Sequence, residues 1–159
     1  MKVFVSSTEA PVPKTETVRV MSLVLAAVIT IMMVGQLFSF EDFSPALAML
    51  QLPGGEPMAF VLAASLCIFE LLSLPFLLSM RLSPAFRILS MASGWFVVLK
   101  WLFITTWETT VAGASHSVLF GTSVPLPAGW WNVFFVFALG LLIVWVSYSL
   151  WPLRVSQKR

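Results

Sequence analysis

Residues 20–40 read VMSLVLAAVITIMMVGQLFSF, and the class of the protein turns on that stretch. It contains no Asp, Glu, Lys or Arg, and it reaches the ~20 residues that a helix needs to cross about 30 Å of hydrocarbon. Three further apolar stretches of similar length follow, at about 58–80, 88–107 and 130–151. In lipid every backbone amide must find its partner inside its own segment, so runs this long are helices. None of them alternates apolar and polar residues at period two, which a barrel strand would require. The fold expected is therefore all-α: an integral membrane, antiparallel four-helix bundle.

Composition points the same way. Apolar residues make up 59% of the chain and charged residues 10%, against roughly 45–50% and about 25% in soluble domains. So few charges could not cover a water-soluble surface. With 159 residues there is room for one compact unit and no separate soluble domain. The division expected is a cytoplasmic tail over 1–18, one transmembrane domain over 19–153 and a basic cytoplasmic tail over 154–159. The first tail is not read as a secretory signal or a transit peptide, since it carries Glu9 and Glu16 and no early apolar core. The net charge of +2 is small, and the basic residues lie in tails and a turn, so nucleic-acid binding is not expected.

The cations set an orientation. Lys2, Lys14 and Arg19 precede the first helix, Arg81 and Arg87 bracket the second turn, and Arg154, Lys158 and Arg159 follow the fourth helix. The other two connections hold Glu41, Asp42, Glu56, Glu108 and His116 and no Lys or Arg. The positive-inside rule then places both ends of the chain in the cytoplasm. Trp107, Trp130, Trp131, Tyr148 and Trp151 fall where an aromatic belt meets the headgroups. In the first outer connection, Ser44-Pro45 supplies a cap and a first helical proline, and Pro53-Gly54-Gly55 a stop, so 45–52 reads as a short interfacial helix. The second outer connection reads as an ordered cap with one short turn at 118–120.

Two ionisable residues, Glu70 and Lys100, lie deep inside the second and third helices. Each is about 12 residues from the start of its helix, entered from opposite faces, which leaves them about 6 Å apart in depth. A lone charge at the bilayer centre costs about 2.5–3.5 kcal/mol on insertion scales, so the two are expected to face inward and pair. Such a pair has two uses. It can fix helix register without adding net stability, or it can line a pocket for a headgroup, a proton or a quinone ring. Gln36, Ser73 and Ser93 could complete a polar cluster, although such side chains commonly bond between membrane helices for packing alone. Cys67, the single cysteine, shares the Glu70 face and reads as a small hydrophobe. His116 stands alone among non-ligating neighbours and is not expected to bind metal. No nucleophile elbow, HExxH, phosphate loop or histidine pair for haem occurs, so the sequence leans away from an enzyme without deciding the question.

One ordered pattern carries a family resemblance. The first helix ends in Phe40-Glu41-Asp42-Phe43, then comes ALAMLQLP (46–53), then a second helix with a central glutamate in FELLSLPFLLSMRLSP and a tight basic turn. Over these three helices the chain resembles the DoxX/MauE-type family of small four-helix membrane proteins. Glu70 matches that family's central glutamate. Ser39-Phe40 and Leu71-Leu72 stand where members often have a lysine and a Leu-Gly. The resemblance implies quinone-coupled oxidation of sulfur compounds or assembly of periplasmic redox enzymes; with one cysteine the chain cannot run a dithiol cycle by itself. The function expected is a DoxX-like accessory subunit of a redox or assembly complex in a bacterial inner membrane, with a protein partner or a second copy beside it. A quinone- or lipid-binding cleft near Glu70 and Lys100 belongs to that expectation, quinone being the one candidate cofactor. Two alternatives stay open: a small transporter or channel component with Glu70 and Lys100 on a polar path, and a quinone-reactive oxidoreductase.

Overall fold

The computed structural model describes residues 15–124 and 126–150. Its helices are α1 (Glu16–Phe38), α2 (Phe40–Met49), α3 (Gly55–Leu77), α4 (Pro84–Trp107) and α5 (Trp130–Leu150). A π-helical turn, Glu108–Ala112, continues α4, and the connection to α5 holds β1 (His116–Ser117) and β2 (Leu126–Pro127), a short antiparallel ladder. Four helices are long and apolar enough to cross a membrane: α1, α3, α4 with its π-turn, and α5.

Their surfaces are those of a multi-pass membrane protein. Phe38, Val61, Leu99, Phe134 and Leu141 stand exposed, whereas Ser22, Gln36, Glu70, Ser73, Ser90, Thr105 and Asn132 are buried. A water-soluble bundle distributes these the other way. Polar groups in a membrane helix turn inward because lipid offers them no partner.

α3 packs against α1 and α4, α5 closes against α4 and α1, and α2 lies along α3. Hydroxyls tie the helices end to end. Ser22 of α1 donates to the Leu77 carbonyl at the end of α3. Ser90 of α4 donates to the Leu72 carbonyl at 2.6 Å and accepts the Phe76 N–H at 3.0 Å, bridging the α3 ladder beside Pro75. Trp95 donates from α4 to Ser147 of α5 at 3.2 Å. The centre is filled by Leu25, Ile29, Met32, Val97, Trp101 and Ile143, among others, and its cavity of about 10 Å³ is at the limit for one water.

The borders follow local chemistry and differ in places from expectation. α1 begins inside the stretch assigned to the tail, because the Thr15 hydroxyl caps the Val18 N–H at 3.3 Å. α2 starts at Phe40 rather than at Pro45: the Ser39 carbonyl accepts the N–H groups of Asp42 and Phe43, and Pro45 sits inside the helix. α3 stops at Leu77, short of residue 80. Ser79 adopts φ 53, and Met80 and Ser79 donate back to the Pro75 and Phe76 carbonyls, a Schellman stop. α4 starts at Pro84 rather than 88, with the Ser83 hydroxyl capping Phe86 and proline at the first position. Residues 1–14 of the expected tail over 1–18, the tail over 154–159, and Trp151 of the aromatic belt lie outside the described residues.

Candidate functional site

Glu70 lies in α3 and is 0% exposed. Its Oε1 accepts the Trp101 indole N–H from α4 at 2.9 Å and the Gln36 amide N–H from α1 at 3.2 Å. Gln36 also donates to the Leu119 carbonyl at 3.3 Å, and its Oε1 faces the Cys67 thiol at 3.8 Å. Phe43 of α2 is buried against Trp101, ring centroids 6.3 Å apart. One carboxyl thus joins α1, α3 and α4 directly, and α2 and the α4–α5 connection through one intermediary each. Among the described residues Glu70 Oε2 has no hydrogen-bond partner.

The expected Glu70–Lys100 pair is not formed. Lys100 turns to the outer side of the α3–α4 seam, where its Nζ donates to Ser65 Oγ at 2.7 Å and lies 4.4 Å from the centre of the Phe69 ring. Ser65 is five positions from Glu70, about 140° around a helix of 3.6 residues per turn. The faces that hold the two ionisable groups therefore differ. Of the other candidates, Gln36 joins Glu70. Ser73 is buried beside it but spends its hydroxyl on the Glu70 carbonyl at 2.7 Å. Ser93 likewise bonds within its own helix, to Leu89 at 2.8 Å. His116 is exposed, and among the described residues no three His, Cys, Asp or Glu side chains gather as a metal site.

A second buried carboxylate was not anticipated. Glu108, assigned by its sequence position to the outer connection, is fully buried in the π-turn. Its two oxygens accept the Val118 N–H at 3.0 Å and the Ser117 hydroxyl at 3.1 Å. This draws Val118 and Leu119 down into the end of the bundle, where Val118–Gly121 forms the turn expected near 118–120. The loop then lies directly on Gly35: a β-carbon there would collide with the Phe120 carbonyl. Thr122 N–H closes the contact by donating to Ser39 Oγ at 3.0 Å.

Trp101 was the other residue missed. An indole N–H in mid-span must find an acceptor in lipid, and that requirement was the available signal. No protein-family model, curated protein or solved structure matches the chain. Function is left to the geometry, and the geometry is that of a closed polar node. Each carboxyl accepts from neighbouring protein donors: Gln36 and Trp101 at Glu70, Ser117 and Val118 at Glu108.

Proposed function

We propose that the chain is an accessory membrane subunit of a redox or assembly complex, of the DoxX-like kind its sequence resembles. It sits in a bacterial inner membrane as an antiparallel bundle, both ends cytoplasmic, with α2 along the opposite interface. The alternation of cation-bearing and cation-free connections supports that orientation. The contacts of Ser22 with Leu77 and of Gln36 with Cys67 support the up-and-down order.

The observation that carries the functional reading is the closure of Glu70. A carboxyl that is 0% exposed, with Gln36 and Trp101 on one oxygen, organises the bundle and does not receive a substrate. The transporter reading needs Glu70 and Lys100 on one path, and Lys100, from α4, bonds to Ser65 on a face of α3 that Glu70 does not share. A quinone or lipid headgroup would have to displace two protein donors to reach Oε1, and Oε2, which carries neither of them, is closed off from the surface.

Isolation from native membranes in mild detergent, followed by mass spectrometry, tests the proposal. A stoichiometric complex with a second polypeptide is the expected outcome. A lone, monodisperse bundle recovered in full from those membranes would overturn it.

A further inference from the structure

Lys100 breaks the rule that ionisable groups in a membrane bundle face inward and pair. Its ammonium carries three donors, and Ser65 Oγ accepts one of them at 2.7 Å. Among the described residues no carboxylate lies within 4.0 Å of it, the ion pair present being Arg19–Glu16 at the start of α1. Nor does it reach for an interface. Ser65 is about 15 Å from the start of α3 and about 18 Å from its end at 1.5 Å per residue, so the ammonium is held at mid-span. Around it Phe69 and Phe96 stack with centroids 5.8 Å apart, and Leu99 and Phe103 stand exposed along the same helix. The result is an apolar helix face with a single partly desolvated cation at its centre.

We infer that this α3–α4 face, centred on Lys100, Ser65 and Phe69, docks one membrane-spanning helix of a partner protein bearing an Asp or Glu at mid-span. The inference rests on the accessory-subunit reading and names where its partner sits. Charge complementarity selects the occupant. A second copy of this chain has no carboxylate to offer at that depth among the described residues. Glu70 and Glu108 are fully buried, and Glu16, Glu41, Asp42 and Glu56 lie in the first turns of their helices. An anionic headgroup would have to descend about 15 Å to reach the ammonium. A carboxylate on a partner helix arrives at the right level, takes the two free N–H donors and neutralises the charge. The stacked Phe69 and Phe96 rings then pack against the incoming helix beside the ion pair.

Energy transfer between the labelled full-length chain and a labelled single-span peptide, in phosphatidylcholine vesicles, reads the docking. The peptide is a Leu/Ala helix of about 22 residues with one central Glu, compared with its central-Gln and central-Leu counterparts. The Glu peptide should associate about tenfold more tightly than the Leu peptide. Lys100→Met should remove that preference, Lys100→Arg should retain it, and Ser65→Ala should change it less than Lys100→Met. Helical content and melting of each variant, measured alongside, show that it is folded.

Equal association of the Glu and Leu peptides would overturn the inference, as would a Glu preference that survives in folded Lys100→Met. Association of the chain with itself, lost in Lys100→Met, would replace the partner by a second copy. Phosphatidylglycerol retained in native mass spectra by the wild type and not by Lys100→Met would replace it by a lipid. If the peptides fail while the native complex is recovered, the docking face is wrong and the accessory reading stands; if the complex is absent, that reading falls first.

Discussion

Glu70 gathers two donors on one oxygen, the Trp101 indole and the Gln36 amide, and the amide also donates to the Leu119 carbonyl. Bonds between membrane helices average about 0.6 kcal/mol and reach about 1.7 in double-mutant cycles. Gln36→Leu and Trp101→Phe are each expected to destabilise the isolated bundle within that range, read by reversible unfolding in mixed micelles. Because both bond the same Oε1, the double variant should cost less than the sum of the single ones. The presence and depth of Glu70 were legible in the sequence, and so was its neighbourhood with Gln36. Its partner was not. Opposite charges at similar depth suggested Lys100, but depth does not specify rotation about the helix axis. The apolar stripes are too uniform to orient helices that are greasy on nearly every side. A buried indole supplied the donor instead.

At the scale of elements, the α4–α5 connection shows how a polar loop becomes a packed lid. Glu108 holds Ser117 and Val118, and Leu119 and Phe120 settle over Gln36 and Gly35. Glu108→Ala would leave a buried N–H and a hydroxyl unpaired, a loss of about 1–3 kcal/mol. Hydrogen exchange should show this as faster exchange of the Val118 amide, with the middle of α3 unchanged; Glu108→Gln should exchange more slowly than Glu108→Ala. Gly35→Leu should release the same loop from the other side, because the Phe120 carbonyl occupies the space a side chain needs. The increase would appear in the exchange of residues 118–122. The four long helices and the turn near 118–120 were readable from length, hydropathy and turn residues. An ordered cap was expected there too, but not its anchor: position alone puts Glu108 in the connection, and the π-turn after Trp107 turns it inward. Helix ends moved by a few residues wherever a hydroxyl cap, as at Thr15 and Ser83, extended a helix beyond its apolar run.

For the whole molecule, the apolar surface, the buried polar side chains and the ring of four long helices describe one bundle. The proposed orientation puts the α3–α4 turn on the side of both chain ends, and α2 with the α4–α5 connection opposite. Cys67 is buried, so single cysteines introduced elsewhere can be labelled against a quiet background. In intact cells Ser44→Cys and Ser115→Cys should react with an impermeant thiol reagent, and Arg81→Cys only after the membrane is opened. The reverse pattern would invert the topology. In the proposed arrangement Glu70 and Lys100 have separate roles, one closing the interior and the other left for a partner. Melting of the isolated chain in detergent separates them most directly. Glu70→Leu should melt clearly below the wild type and Lys100→Met no lower than the wild type, whereas equal losses in both variants would mean that the two residues form a buried pair and that the account is wrong.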